Sequence, residues 1–301
     1  MVSMDGKTCL ITGAGNGLGF EYAKSMASLG AHVVVNDLGG STDGSGADIS
    51  TARQAVKALE AEGWQASANT ADVADEEQAE QMIEEAFART GHLDVLVCNA
   101  GILRDRMVFN MSPADWDSVQ RVHARGHFLS LHFAARRWRE NFKKTGEVKP
   151  ASVILTSSRS GLYSSAGQMN YAAAKAGIAS MAIVASRELE RYGVRVNAIA
   201  PMAKTRMTEG SFGAITSTRW NPENVAPMVT YLASDESQGV SGQVFIVGGG
   251  RIEWMRTWTP QSAIEAPAGS AFTLQDVLNG RNQLFSGQPT TPAPFPTATW
   301  D

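Results

Sequence analysis

Tyr171 and Lys175 stand four residues apart in an alanine-rich run, Tyr171-Ala-Ala-Ala-Lys175. Alanine is the strongest helix former, so the run predicts a helix. On a helix that spacing puts both side chains on one face, about 6 Å apart along the axis. A phenol, with an ordinary pKa near 10, is a poor proton carrier at neutral pH. An ammonium held beside it favours the phenolate and lowers that value, which makes Tyr171 a candidate general acid and base. Ser158 lies thirteen residues before Tyr171, at the end of the apolar run 153–155. That run reads as a buried strand, and from its top the hydroxyl can reach the same reacting oxygen. A Tyr four residues before a Lys is common by itself. The pattern gains weight from a second site earlier in the chain.

That second site is Thr12-Gly-Ala-Gly-Asn-Gly-Leu-Gly19, four glycines in eight residues, directly after an apolar run and at the opening of an amphipathic stretch. Glycine permits a tight turn and lets a pyrophosphate approach the backbone, while a helix amino terminus offers free N–H groups and a positive dipole end. About twenty residues on, a second apolar run ends at Val35-Asn36-Asp37. A carboxylate there accepts from the adenosine ribose hydroxyls and repels a 2′-phosphate. No Lys or Arg occupies positions 13–19 or 36–43, so NAD is expected over NADP. An Asp that only caps a turn is the competing reading of Asp37.

The elements that must position these residues alternate along the chain. Apolar runs stand at 8–11, 31–35, 93–97, 152–155, 194–199 and 243–247, with a weaker one at 64–69, and amphipathic stretches at 18–29, 47–62, 75–90, 112–143, 168–192 and 222–234 lie between them. Strands alternating with helices predict an α/β fold: a doubly wound parallel sheet of about seven strands, helices on both faces, ligands at the carboxyl ends of the strands. Residues 1–250 read as one cofactor-binding domain and 251–301 as a carboxyl-terminal extension. The extension holds a short helical candidate at 272–278 and prolines at 289, 292, 294 and 296, which predict an extended arm over 286–301, or a disordered one. Residues 202–220 are irregular and carry Met202, Met207, Phe212 and Trp220. They read either as a substrate lid or as an ordinary covering loop.

The composition, 301 residues with 43% hydrophobic and 19% charged, is that of an ordinary globular protein. A net charge of −4 and the lack of a Lys/Arg run argue against a nucleic-acid partner. Cys9 and Cys98 sit in apolar runs and read as reduced core thiols. No apolar run reaches about 18 residues, so no membrane span is expected. Neither a signal peptide nor the peroxisomal ending Ser-Lys-Leu is present, and the cytoplasm is the expected compartment.

Thr12-Gly-xxx-Gly-x-Gly19 followed by Ser158…Tyr171-xxx-Lys175 resembles the short-chain dehydrogenase/reductase family, over about residues 5 to 250. The resemblance implies a Rossmann-type sheet and an NAD-dependent oxidoreductase that interconverts a secondary alcohol and a ketone. Tyr171 would exchange a proton with the substrate oxygen, Ser158 would orient that oxygen, and Lys175 would tune the phenol and hold the nicotinamide ribose. Gly13, Asn16, Gly17, Leu18, Gly19 and Asp37 would face the cofactor, with Asp72-Val73 as the adenine-contacting pair, Asn99-Ala100-Gly101 as the turn beside it and Pro201 at the nicotinamide end. Two positions depart from the family. Met202 follows Pro201 where Gly is usual, and His123 stands where the fourth catalytic residue is usually Asn. His123 and His127 are spaced as metal ligands on a helix can be, but no third ligand presents itself, so no metal is expected. The small residues Ala172, Ala173, Ala174, Ala176, Gly177 and Ala179 suit close helix contact, and in this family the two long helices commonly form a dimer face, so a homodimer or homotetramer is expected.

A narrower similarity is carried by Val33-Val-Val-Asn-Asp-Leu-Gly-Gly40, Gly101-Ile-Leu-Arg-Asp-Arg106, Arg121-Val-His-Ala-Arg-Gly126 and Ser157-Ser-Arg-Ser-Gly-Leu-Tyr163. These resemble the (3R)-hydroxyacyl-CoA dehydrogenase unit of peroxisomal multifunctional enzyme type 2, a subgroup that also has His at position 123. The resemblance implies an acyl-CoA or steroid alcohol as the small-molecule substrate, first a 3-hydroxyacyl-CoA, alternatively a 17β-hydroxysteroid or a 3-oxoacyl thioester. Arg104 and Arg106 are candidates to meet an anionic carrier, or are ordinary surface ion pairs. A rival of another class is a regulator that senses NAD without turnover. A sensor has no use for a tuned phenol.

Overall fold

A computed structural model describes residues 2–208, 217–256, 258–266, 268–285, 287, 291–293 and 295. Seven parallel strands and one antiparallel strand form a single sheet in the order β3-β2-β1-β4-β5-β6-β7-β8. The strands are β1 (Thr8–Thr12), β2 (His32–Asn36), β3 (Ala66–Asn69), β4 (Val95–Cys98), β5 (Ala151–Thr156), β6 (Val194–Met202), β7 (Val244–Gly248) and β8 (Arg251–Met255). The order reverses between β1 and β4, and beyond their carboxyl ends opens the crevice in which doubly wound sheets hold ligands.

Side-chain alternation decides how the sheet is covered. On β1, Leu10 packs into one core while Cys9 and Ile11 pack into the other. Both faces are therefore apolar, and both need helices. The face of Leu10 is covered by α3 (Glu76–Thr90), α5 (Gly126–Thr145) and α7 (Met169–Leu189), with Phe87, Trp138 and Ile178 fully enclosed. The face of Ile11 is covered by α1 (Gly17–Ala27), α2 (Ser50–Ala61) and α8 (Ala226–Ala233), with Tyr22, Met26 and Leu232 inside. Cys9 and Cys98 are free thiols, both buried. Among the described residues no helix is long and apolar enough to cross a membrane.

The stretch 112–143 is not one regular helix. Ser112 and Asp115 form a reciprocal capping box that starts α4 (Pro113–Gln120). A five-residue π-helical turn, Arg121–Arg125, then inserts before α5. Such a turn carries one residue more than an α-turn, so it rephases the helix beyond it. It brings His123 and then His127 to the interior, each no more than 2% exposed. A short helix that the sequence did not announce, α6 (Arg159–Tyr163), comes after β5.

The eighth strand also differs from expectation. Gly248, Gly249 and Gly250 all have positive φ and reverse the chain, so that β8 returns antiparallel to β7. Residues Arg251–Met255 thus pair with the sheet, although they lie past the point at which the sequence suggested the extension begins. The chain divides into two compact units, Met1–Met255 and Arg256–Asp301. The second unit contains α9 (Leu274–Phe285), capped by the Thr273 hydroxyl and the Asp276 carboxylate. Apart from residues 287, 291–293 and 295, the expected arm over 286–301 lies outside the described residues.

One partly buried cation binds α8 to the sheet. Arg195, on β6, donates to the carbonyls of Leu232 at 3.0 Å, Ser237 at 3.2 Å and Ser234 at 2.9 Å, just past the helix end. Arg195→Leu removes these charge-assisted hydrogen bonds while each carbonyl keeps another donor: the Ser152 and Ser237 hydroxyls on Leu232, the Ser237 hydroxyl on Ser234 and the Val240 N–H on Ser237. The cost is that of the lost bonds, about 1–3 kcal/mol. The expected outcome is a thermal midpoint lower by roughly 5 °C with the fold retained, measured by calorimetry.

Candidate active site

The crevice above β1 and β4 holds a cavity of about 360 Å³. Gly13, Asn16, Gly17, Leu18, Asp37, Asp72, Val73, Asn99, Ala100 and Gly101 line it, ten of the residues expected to face a cofactor. Gly19 lies beneath the turn, where a Cβ would come within 2.2 Å of the Gly13 carbonyl oxygen. Pro201 stands on β6, outside this lining. Gly13 and Gly17 have φ of 64° and 56°, a region that glycine enters without strain. A Cβ on Gly17 would stand 3.8 Å from Thr205, a residue that also lines the cavity. The turn therefore presents bare backbone to a cavity at the amino end of α1, which fits a pyrophosphate-bearing nucleotide.

Side chains lock the turn in this form. Asn99 donates its backbone N–H to the Thr12 hydroxyl at 2.9 Å and its side-chain amide to the Gly13 carbonyl at 3.0 Å. Asp37 accepts from the backbone N–H of Gly15 at 2.8 Å and of Gly39 at 2.7 Å. It thus caps a turn as well as lining the cavity. Arg121 donates to Asp72 at 2.6 Å.

A segment the sequence reading passed over completes the wall. Residues 38–48, rich in Gly, Ser and Asp, run as a strap from β2 to the loop after β4. Leu103 N–H donates to the Thr42 carbonyl at 2.8 Å, and the Arg104 guanidinium donates to the Asp43 carbonyl at 2.9 Å. Arg104 is therefore engaged in holding the strap. The other wall comes from Thr205, Arg206 and Met207. Of the lid proposed from sequence, Met207 faces this cavity, Met202 and Trp220 are buried, and Phe212 lies outside the described residues.

Ser158, Tyr171 and Lys175 come together at the carboxyl end of β5. Ser158 caps α6 with its hydroxyl and is hydrogen-bonded to the Tyr171 phenol. Lys175 Nζ stands 5.5 Å from the centre of the Tyr171 ring and donates to the Thr156 carbonyl at 2.6 Å. His123 meets the same ring edge-on, centroids 5.1 Å apart. Its Nε2 lies 3.0 Å from the Ile102 backbone nitrogen and 2.8 Å from the Ile102 carbonyl oxygen, accepting from the one or donating to the other according to tautomer. A Cβ on Gly101 would come 2.3 Å from the His123 ring, which explains the glycine there.

Charge at this site departs from the sequence expectation. Burial pushes the Tyr171 phenol up to about 12; the Ser158 hydrogen bond pulls it down and the Asp105 carboxylate adds to the rise. The expected lowering by Lys175 is absent because the ammonium is itself buried and spends its proton on the Thr156 carbonyl. Burial brings Lys175 down to about 7. It also holds His123 well below its ordinary range and His127 at about 3, with the Lys175 charge acting in the same direction, so both imidazoles are neutral. Among the described residues no three His, Cys, Asp or Glu side chains gather as a metal would require. The arrangement can move one proton to or from a bound oxygen beside a nucleotide-sized groove.

Comparison with known proteins agrees with this geometry. The family described as short chain dehydrogenase matches residues 7–214. Hydroxyacyl-CoA dehydrogenase ChsB1 of Mycobacterium tuberculosis is 39% identical over 298 residues, covering 94% of this chain and 92% of that protein. Peroxisomal multifunctional enzyme type 2 of Mus musculus is 40% identical over 256 residues, covering 84% of this chain; the match spans only 33% of the mouse protein. The crystal structure of a short chain dehydrogenase from Mycobacterium avium superposes with a TM-score of 0.83 at 41% identity, covering 96% of this chain and 98% of that one.

The buried amine sets a pH dependence of stability. Lys175 falls from its ordinary 10.5 to about 7 on folding, so between those values the unfolded chain holds the extra proton and stability rises with pH. Lys175→Met removes the effect. Relative to the unmutated protein, the variant should therefore be more stable at pH 6 than at pH 10, by on the order of a few kcal/mol, in urea titrations at both values. A stability difference that is flat across that window would contradict the assignment.

Proposed function

The chain belongs to the short-chain dehydrogenase family, and we propose that within it the protein is an NAD-dependent dehydrogenase of (3R)-3-hydroxyacyl-CoA thioesters. That it is an oxidoreductase acting on CH–OH groups follows from the family. The observation that carries the site assignment is the hydrogen-bonded Ser158–Tyr171 pair with the buried Lys175 beside it, at the end of β5 with only β4 between it and the strand that leads into the glycine turn. The substrate class is supported by the local segments 33–40, 101–106, 121–126 and 157–163 and by two relatives, one named a hydroxyacyl-CoA dehydrogenase and the other a peroxisomal multifunctional enzyme.

Bound NAD supplies the hydride acceptor. Gly13, Asn16, Gly17 and Leu18 would present backbone to the pyrophosphate, and Asp37 would take the adenosine ribose hydroxyls with the oxygen lone pairs not used by Gly15 and Gly39. Asp72 and Val73 would contact the adenine, with Asn99, Ala100 and Gly101 also lining the groove. Family members take NAD or NADP. Asp37 supports NAD here, because its carboxylate would repel a 2′-phosphate. In oxidation Ser158 would donate to the substrate oxygen while Tyr171 Oη, as the phenolate, would accept the hydroxyl proton and become the neutral phenol. Lys175, fixed on the Thr156 carbonyl beside the ring, would hold the nicotinamide ribose, the role the family resemblance implies. In reduction Tyr171 returns the proton. His123 works through shape: neutral, tied to Ile102, it buttresses the ring of Tyr171. Self-association through α5 and α7 belongs to the same proposal, and Phe128 and Val184 stand half-exposed on those helices.

Tyr171→Phe should lower kcat by 10²-fold or more while NAD affinity changes little, since only the proton carrier is lost. Stopped-flow turnover and fluorescence titration with reduced cofactor measure the two separately. The unmutated enzyme should favour NAD over NADP in kcat/KM, and Asp37→Ala should narrow that ratio. Among medium-chain (3R)- and (3S)-hydroxyacyl-CoA, a 17β-hydroxysteroid and an acyl-carrier thioester, the (3R)-CoA ester should have the highest kcat/KM. Turnover confined to sugar or polyol alcohols would exclude the thioester assignment.

A further inference from the structure

Between the turn bearing Ser158 and the helix bearing Tyr171 lies a side-chain bridge whose central residues, Ser160 and Gln168, have no part in the roles assigned so far, while its far end, Asp105, also raises the Tyr171 phenol. Ser160 Oγ donates to Gln168 Oε1 at 2.6 Å, and Gln168 Nε2 donates to Asp105 Oδ2 at 2.6 Å. Ser160 N–H in turn donates to Ser158 Oγ at 3.2 Å. Gln168 is the residue at which α7 begins, and its carbonyl accepts from Ala172 N–H at 2.7 Å. One amide thereby touches α6, the amino end of α7 and the loop after β4. The backbone repeats the connection: Arg106 N–H donates to the Gly167 carbonyl at 2.8 Å, and Asn170 donates its side-chain amide to the Arg104 carbonyl at 2.9 Å.

We propose that Gln168, held by Asp105, is a positioning residue that sets the separation of Ser158 and Tyr171. This rests on the assignment of that pair as the proton-transfer site. The spacing of the pair is a matter of tenths of an ångström, because a shared proton path weakens steeply with distance. The polarity of the bridge is also determined. Ser160 requires an acceptor and the Asp105 carboxylate requires a donor, and an amide alone supplies both from one end group. A carboxylate at 168 satisfies Ser160 but opposes Asp105. An amide at 105 facing a carboxylate at 168 restores both bonds with the donor and acceptor exchanged.

That exchange is the test. The unmutated enzyme, Q168E, D105N and the double variant Q168E/D105N are compared in steady-state oxidation of a medium-chain (3R)-hydroxyacyl-CoA with NAD. Tyr171→Phe serves as the reference, and amide hydrogen exchange over residues 158–164 is monitored in each without substrate. Q168E is expected to lose on the order of tenfold or more in kcat with KM for NAD little changed, and to exchange faster over 158–164. D105N loses least, because an Asn oxygen can still accept from Gln168. The double variant recovers to within about threefold of D105N in kcat, and its exchange slows again. Failure of the double variant to recover, in both kcat and exchange, overturns the proposal, as does a Q168E variant equal to the unmutated enzyme. Failure of the underlying assignment looks different: Tyr171→Phe would retain turnover, or the thioester would not be oxidised at all, while the exchange measurements would still show whether the bridge acts.

Discussion

The structure depends on a reciprocal pair of hydrogen bonds between β5 and α7. Ser157 donates its hydroxyl to the Lys175 carbonyl at 2.7 Å, and Lys175 donates its ammonium to the Thr156 carbonyl at 2.6 Å. A strand end and a helix are fastened at one level, and the ammonium is buried to do it. Burial of a cation is costly unless it is well bonded. Here burial lowers the amine to about 7 and fixes it beside the Tyr171 ring. Gly161 is required by the same fastening, for a Cβ there would meet the Lys175–Ala176 backbone at 2.6 Å. The short α6 can lie against α7 only because that residue has no side chain.

A second fastening runs across the sheet from β1 to β4. Thr12, Asn99 and the Gly13 carbonyl form one hydrogen-bonded group, so the phosphate turn is registered against the loop that continues through Gly101 to Arg106. That loop then receives the 38–48 strap on one side, at Leu103 and Arg104, and the amino end of α7 on the other, through Asn170 and Gln168. The groove above β1 and β4 and the Ser158–Tyr171–Lys175 cluster are thereby two ends of one bonded framework. Their relative position is set by backbone contacts more than by the residues that would touch a ligand.

Much of this was legible in the sequence where the signal is local. Continuous apolar runs marked seven strands, and a strand–glycine–helix context marked the glycine turn that lines the groove. The Tyr171–Lys175 spacing placed both side chains on one face of α7. The parts that were not legible depend on contacts between distant segments. The run Gly39-Gly-Ser-Thr-Asp-Gly-Ser-Gly46 reads as a loop, but nothing in it tells that Thr42 and Asp43 will meet Leu103 and Arg104. The phenol was expected to be lowered, since the neighbouring amine was visible and the burial of both groups was not. The eighth strand is a different case. Arg251-Ile-Glu-Trp-Met255 alternates polar and apolar residues after a glycine reversal, a signal present in the sequence and overlooked.

The π-turn at Arg121–Arg125 has a consequence for how this chain can vary. One extra residue rotates everything beyond it by about 100° relative to a continuous α-helix. The buried set of α5, Leu129, Phe133, Ala134 and Trp138, therefore faces the sheet in a phase that holds only while the turn keeps its length. Individual side chains on the outer surface of this turn are replaceable, whereas removal of any one residue would swing Trp138 away from the Leu93 carbonyl it donates to. In an aligned set of such chains, this stretch should tolerate changes of letter and resist changes of count. It acts as a gear tooth between two helices that must each keep their own face to the protein.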